Sequence, residues 1–240
     1  MLMSERAPTR LPSYGSSQRW AGANLHTTVL VQGPSHSEII YPIPTRNVEF
    51  TFSPVGPNSM LLLPQADEGD AHPRYYITVM PSCFMPLSHI TTIYRGANEN
   101  APRVGEFEMG ITSVASERQI GTRPPEPLAA VLKKVGIFNG NRWRWSRNVG
   151  PNLAYSYLFW ECNAAPFTCF TEDEQKKPGK AVAWFTPQRA ANRTGASARL
   201  SHLEVTPQGQ MLFDDIIMSI LTIERKLLQP PEPKFLFNFH

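Results

Sequence analysis

The segment 211–228, MLFDDIIMSILTIERKLL, constrains the fold more than any other part of the chain. Between Ile216 and Ile223 it is apolar on nearly every face. A helix exposed to water on one side carries only a stripe of apolar residues, whereas a helix that is apolar all round must be surrounded by protein or lipid. We therefore predict a helix over 211–228 that the rest of the chain buries.

The charged residues of this segment identify it as a core helix. Asp214 and Asp215 lie in the first turn, and Arg225 and Lys226 lie in the last turn, which suits the helix macrodipole. Pro230 ends the helix, because the residue before a proline resists the helical conformation. The apolar run between these charges is too short to span a membrane, which needs about 20 mostly apolar residues. We predict no transmembrane segment.

A thin polar seam runs along the predicted helix. Asp215, Ser219, Thr222 and Lys226 follow one another at i, i+4, i+7 and i+11 and therefore share one side. One interpretation is a ligand site or a polar channel along the helix. The other is hydrogen bonding to the surrounding strands, or a gap that admits water, and it is favoured because buried polar groups are usually bonded for structural reasons.

Most of the chain before this helix has the pattern of short β-strands. Runs rich in Val, Ile, Thr, Tyr and Phe end at Pro or Gly, as strands bounded by turns do. The predicted strands are 48–54, 59–64, 74–81, 88–96, 104–114, 142–146, 155–162, 166–171, 180–185 and 199–205. Segment 128–134 fits either a short helix or a strand edge. Many short strands followed by one apolar helix predict a mainly β fold, a closed antiparallel barrel wrapped around a buried C-terminal helix.

Composition divides the chain into three parts. Residues 1–46 are rich in Ser, Pro, Arg and Thr without an apolar period, which predicts a disordered arm. Residues 47–229 form the predicted single domain, and the proline-bounded residues 230–240 form a predicted mobile tail. A net charge of +3 is too small to indicate nucleic-acid binding by bulk electrostatics.

The N-terminus and the cysteines indicate an intracellular protein. The opening MLMSERAPTR lacks the apolar core of a secretory signal. Cys83, Cys162 and Cys169 are an odd number without a CxxC spacing, so we expect reduced thiols. The protein is expected to be cytoplasmic or peripheral to a membrane.

The strand RWRWS and the residue after it form a candidate anion-binding surface. Alternation places its two tryptophans on one face and Arg142 and Arg144 on the other. Together with Lys133, Lys134 and Arg147 these arginines could form a basic stripe that holds a lipid headgroup through charge-assisted hydrogen bonds. The alternative is a solvated sheet face, which the modest net charge favours.

No constellation of residues indicates catalysis or a bound metal. The six histidines have no HxxxH or HExxH spacing, and no phosphate-binding or nucleophile-elbow motif occurs. Cys83 and His89 lie close in sequence, but no third residue nearby would orient such a pair, so an inert thiol is the better interpretation. We expect no cofactor and no metal.

Several segments in order resemble an uncharacterised fungal family, a domain of unknown function. They are TTIYR at 91–95, Trp145, AVAWF at 181–185 and LEVTPQGQMLFDDIIMSILTIERK near the end, and the resemblance covers roughly 50–228. The family is similar to the tubby C-terminal-like group, which includes LURP-one-related proteins and phospholipid scramblases. The resemblance implies a barrel of about twelve strands around a hydrophobic C-terminal helix. The chain departs from the family's pattern in a proline-rich insertion at 121–127 and in the extended segment 186–198, and we expect both to lie in loops.

The functional expectation is a non-enzymatic binding protein. Some tubby-like relatives bind phosphoinositides, so the resemblance and the basic stripe suggest an anionic lipid headgroup or a protein partner. The alternative is a carrier or an enzyme that takes a small apolar molecule at the barrel mouth or along the seam of Asp215, Ser219, Thr222 and Lys226. Fold-level analogy alone is weak evidence for either function.

Overall fold

The computed structural model describes residues 45–65, 72–85, 87–110, 116–135, 140–147, 157–173, 175, 177–188 and 200–229. Only the last two residues of the predicted arm 1–46 fall within these ranges, and the predicted tail 230–240 lies outside them. The division of the chain at residues 46 and 230 therefore stays a prediction.

The described residues form one antiparallel sheet of thirteen strands. In chain order these are β1 Val48–Gly56, β2 Ser59–Pro64, β3 Tyr75–Pro81, β4 His89–Tyr94, β5 Arg103–Met109, β6 Glu117–Ile120, β7 Glu126–Pro127, β8 Leu132–Lys134, β9 Arg142–Ser146, β10 Tyr157–Glu161, β11 Phe167–Glu172, β12 Pro178–Thr186 and β13 His202–Val205. Their order across the sheet is β7-β6-β5-β4-β3-β2-β1-β13-β12-β11-β10-β9-β8. The first and last strands thus meet in the middle, where β1 pairs with β13.

Alternation along the strands determines which face of the sheet is buried. In β1, Val48, Phe50 and Phe52 are buried, while the residues between them are partly exposed. The same period of two appears in β11 and β13. Each strand therefore contributes one row of apolar side chains to a common core.

Three short helices accompany the sheet within the described residues: α1 Leu128–Val131, α2 Pro207–Gln210 and α3 Phe213–Leu228. The hydroxyl of Thr206 caps α2 by accepting a hydrogen bond from the Gly209 N–H at 3.0 Å. The last helix is the predicted one and begins two residues later than predicted. Its burial is confirmed, because Ile216, Ile217 and Ile220 are fully buried.

The sheet curves around α3, since strands from both of its halves contact the helix. On one side, the ring of Phe213 packs 4.8 Å from that of Phe50 in β1 and 5.1 Å from that of Tyr75 in β3. On the other side, Trp160 of β10 donates a hydrogen bond to Ser219 of α3. One apolar helix thus fills the concave face of one sheet.

The prediction of a closed barrel is wrong. The order of the strands has two ends, β7 and β8, and these two strands do not pair with each other. The sheet has thirteen strands rather than about twelve and stays open. The insertion 121–127, which we predicted to lie in a loop, contains the end strand β7.

The local sequence explains why the sheet does not close. Strand β7 has only two residues, and one of them, Pro127, has no N–H to donate to a neighbouring strand. The chain then forms one turn of helix, α1, before it continues as β8. The sequence of segment 128–134 fits either a short helix or an edge strand, and the structure contains both: the helix α1 comes first and the edge strand β8 follows it.

Arg118 links the two ends of the sheet where strand pairing is missing. This β6 residue is only 2% exposed, and its Nε donates to Glu126 of β7 at 2.9 Å. Its Nη2 reaches across to the Ser146 carbonyl of β9 at 3.3 Å, and its guanidinium lies 4.5 Å from the centre of a Trp145 ring. One buried side chain thus joins strands from both ends of the sheet.

Candidate functional site

The tryptophans of β9 lie on the face that packs towards α3. Trp145 is fully buried, and its indole N–H donates to Asp215 at 3.1 Å. Trp143 is half-buried against the same core. Arg142 and Arg144 alternate with these rings and lie on the opposite face of the strand.

Two cations face each other on the outer side of β8 and β9. Lys133 lies directly opposite Arg144 in the antiparallel register. Lys133 is exposed, and the guanidinium of Arg144 lies 4.7 Å from the ring centre of Tyr157. Like charges directly opposite each other on a sheet repel, so this pair raises the local positive potential.

The third cation on this face is Arg142. It lies two residues before Arg144 and forms an ion pair of 2.5 Å with Glu161 of β10. About half of the Arg142 side chain is exposed. We call Lys133, Arg142 and Arg144 the outer basic face.

The other two residues of the predicted basic stripe lie elsewhere. Lys134 follows Lys133 and so lies on the opposite side of the strand, where its Nζ is 5.9 Å from the ring centre of Trp143. Arg147 is buried, and its Nε donates to Asp215 of α3 at 2.8 Å. Period-two alternation already assigns Arg147 to the tryptophan face, so the sequence contains the signal that separates it from the stripe.

The polar seam of α3 is engaged mainly by the surrounding tryptophans and by the helix backbone. Asp215 accepts from Trp145 and Arg147, and Ser219 accepts from the Trp160 indole at 2.9 Å. Thr222 donates to the Met218 carbonyl at 2.6 Å, and Lys226 is half-buried in the last turns. The first three side chains act as hydrogen-bonding partners within the fold.

A second polar cluster, which the sequence pattern did not indicate, lies at the start of α3. The Tyr75 hydroxyl donates to Asp214 at 2.7 Å, and the same carboxylate forms an ion pair with Arg95. Burial, together with the neighbouring Asp214 carboxylate, raises the pKa of Tyr75 well above its usual value. Asp214 thus ties β3 and the end of β4 to the first turn of the helix.

The cysteines show no sign of a reactive thiol in the core. All three are free; Cys83 is exposed, and Cys162 and Cys169 are buried. Burial raises the pKa of the Cys162 thiol to about 12 and that of Cys169 well above its usual value. Among the described residues, no group of His, Cys, Asp and Glu has an arrangement that could hold a metal ion.

Membrane spanning by a helix is not indicated in the part of the chain that the structure describes. No helix there combines the length and the apolar character needed to cross a bilayer.

Comparison with known proteins identifies a family to which the chain is similar, but no individual protein that matches it. Neither the curated proteins nor the solved structures include a match to the chain. The model of the family of unknown function DUF6593 matches residues 65–229, which contain every strand after β2 and all of α3. Strands β1 and β2 precede the match although they lie in the middle of the sheet. The chain belongs to DUF6593, a family of unknown function.

Proposed function

We propose that this protein is a non-enzymatic binding protein whose outer basic face holds an anionic lipid headgroup of the phosphoinositide kind. The observation that carries the proposal is the direct opposition of Lys133 and Arg144. Their mutual repulsion is a cost that a bound anion would remove. A phosphate group can accept hydrogen bonds from both side chains at once.

The surroundings of this pair support a phosphate ligand. Arg142 lies on the same face, and its partner Glu161 is only one-third exposed. The ring of Tyr157 beneath Arg144 supports the guanidinium from one side and leaves its edge available for hydrogen bonds. The face therefore offers several donors within two neighbouring strands.

The resemblance to the tubby C-terminal-like group favours the same ligand. We propose that the family is a fungal relative of that group, some members of which bind phosphoinositides. A protein with this ligand would act inside the cell, in the cytoplasm or at a membrane surface. The lipid headgroup is preferred to a protein partner because the outer basic face consists of long cationic side chains with little apolar surface.

The polar seam does not support the small-molecule alternative. Three of its four side chains already have partners: Asp215, Ser219 and Thr222. A ligand there would have to displace the hydrogen bonds of buried indoles, which would leave polar groups unpaired.

Vesicle flotation tests the proposal. The vesicles would contain phosphatidylcholine alone, phosphatidylcholine with a phosphoinositide, or phosphatidylcholine with phosphatidylserine at equal total charge. We expect binding to the phosphoinositide vesicles only. The double variant Lys133→Ser/Arg144→Gln should lose about 2 kcal/mol, on the order of 30-fold in affinity, at about 1 kcal/mol for each basic residue.

The matched control is the double variant Lys177→Ser/Lys180→Ser, which removes the same charge from exposed lysines at another place. It should bind as the unmodified protein does. Equal flotation with all three vesicle types, or equal losses in both double variants, would refute a headgroup site on the outer basic face.

A further inference from the structure

A pocket of about 310 Å³ lies at the C-terminal end of α3, away from the outer basic face. Its lining residues come from α3, from the ends of β4 and β5, and from the chain just outside these elements: Leu87, His89, Met109, Gly110, Arg225, Leu228 and Gln229. Gln229 closes part of the wall by donating a hydrogen bond to the Gly110 carbonyl. A volume of this size is at the lower end of the range for small-molecule sites.

The pocket has an apolar wall that is open to solvent. Leu87 is 70% exposed and Leu228 is 57% exposed, whereas Met109 is buried behind them. Leu87 also has a φ of 70°, a conformation that bulky side chains rarely adopt. Exposed apolar side chains beside a concavity are typical of a site that buries an apolar group of a ligand.

Two polar groups at the pocket have no hydrogen-bond partner among the described residues. The Nδ1 atom of His89 is buried and makes no hydrogen bond, although such an unmet bond costs about 1–3 kcal/mol. Arg225 lines the same pocket and has no ion pair or hydrogen bond with any described residue. The guanidinium of Arg225 is therefore available to a ligand, whereas Nδ1 of His89 lies beneath the surface of the pocket.

We propose that this pocket binds a small amphiphilic monocarboxylate. Its carboxylate would accept hydrogen bonds from Arg225, and its aliphatic chain would cover Leu87, Met109 and Leu228. A guanidinium and a carboxylate have matching planar geometry. A single negative charge is favoured over a phosphate dianion because the last carbonyls of α3 bring the negative end of the helix dipole to this place.

Titration calorimetry with octanoate tests this inference, with octanol as the uncharged analogue. Octanoate should bind and octanol should bind at least about tenfold more weakly, because the loss of charged hydrogen bonds costs about 1.5–3 kcal/mol. In two-dimensional amide NMR spectra, octanoate should shift the signals of Gly110 and Gln229 and leave those of Lys133 and Arg144 unchanged. The last readout separates this pocket from the outer basic face.

The adjacent cations of α3 provide a matched pair of variants. Arg225→Gln and Lys226→Gln remove the same charge from the same helical turn, but only Arg225 lines the pocket. We expect Arg225→Gln to weaken octanoate binding about tenfold or more, and Lys226→Gln to change it less than about twofold. Leu228→Asp places a negative charge on the apolar wall of the pocket, and it should abolish octanoate binding even if Arg225→Gln fails to fold. Tight binding of octanol, equal effects of the two α3 variants, or no octanoate binding would overturn the inference.

Discussion

Asp215 is the residue on which the polar interior depends most. Its carboxylate accepts hydrogen bonds from Trp145 and Arg147, which lie on the inner face of β9 and just beyond its end. The side chain of Arg147 is 6% exposed and that of Asp215 is 19% exposed. A buried cation without its anion is far less stable than the pair, so the partners are strongly coupled.

We predict that Asp215→Ala lowers the free energy of unfolding by about 3 kcal/mol, because it removes a carboxylate partner of the buried Arg147 guanidinium and the acceptor of the Trp145 indole. Urea denaturation measures this change. The exposed pair of Arg142 and Glu161 gives the control, since Glu161→Gln should cost less than about 1 kcal/mol. Equal costs for the two variants would show that the Arg147 site is solvated.

At the residue scale, the sequence predicts the polar seam of α3 but does not decide between a ligand site and hydrogen bonding to the strands. Both strand tryptophans that contact the seam are buried, and a buried indole N–H requires an acceptor. The spacing of Asp215 and Ser219 on one side of the helix supplies two such acceptors. What the sequence could not provide is the register that brings each acceptor to its tryptophan.

At the scale of elements, the short segment β7-α1-β8 determines the shape of the sheet. Pro127 and the single turn of α1 stand between two strands that would otherwise be free to extend and pair. Arg118 compensates in part, because it bonds to Glu126 on one side of the opening and to the Ser146 carbonyl on the other. Burial lowers the pKa of its guanidinium, which the Glu126 carboxylate counteracts.

We predict that Arg118→Met costs about 2–3 kcal/mol, from the lost contact with the Trp145 ring and the unpaired Ser146 carbonyl. Thermal denaturation and amide exchange measure the effect, and the faster exchange should be concentrated in β8 and β9. Arg103→Met is the control, because Arg103 is about one-third exposed and pairs with Glu106 on the surface. It should cost less than about 1 kcal/mol. If the two variants are equally stable, Arg118 does not hold the sheet ends together.

The strands are the elements that the sequence predicts best, because apolar and polar residues alternate along them. The predicted ranges 59–64 and 142–146 coincide with β2 and β9. The two-residue strand β7 could not be predicted, because a pair such as Glu126–Pro127 carries no period. The strand is defined by its antiparallel pairing with Glu117 and Arg118 of β6.

At the scale of the whole molecule, the core is an apolar helix enclosed by one curved sheet, with several ionisable groups buried in neutral form. The pKa of Cys162 is raised to about 12 from an ordinary value of 9.0 by burial. Cys169 and Tyr75 are shifted in the same direction. Each of these groups keeps its proton longer in the folded protein than in the unfolded chain.

We therefore predict that the free energy of unfolding falls as the pH rises above about 9. The unfolded chain releases the thiol protons first, and this favours unfolding by about 1.4 kcal/mol for each buried thiol at one pH unit above its ordinary pKa. Urea titrations between pH 7 and about pH 10 measure the slope. The double variant Cys162→Ala/Cys169→Ala should flatten it and Cys83→Ala should not. A slope that is the same in all three proteins would contradict this origin.

The burial of α3 could be predicted from sequence, but the closure of the sheet could not. Apolar residues on nearly every side of 216–223 require an enclosure, and the sequence pattern is enough to show it. Closure of the sheet would require hydrogen bonds between β7 and β8. These two strands are far along the chain from the apolar segment that predicts the helix, so that segment carries no information about their pairing. The outer basic face was found by alternation, whereas the pocket beside Arg225 arises only when the ends of β4, β5 and α3 meet.

Amide hydrogen exchange at β8 tests the open sheet most directly. The Val135 N–H donates to the Arg142 carbonyl, so by antiparallel alternation the Lys133 N–H also points towards β9 and the Lys134 N–H points away from it. We predict fast exchange at Lys134 and protection at Lys133 and at Ile93 of β4, a strand that is paired on both sides. Protection of Lys134 equal to that of Ile93 would mean that another strand pairs with β8, and the open sheet would be refuted.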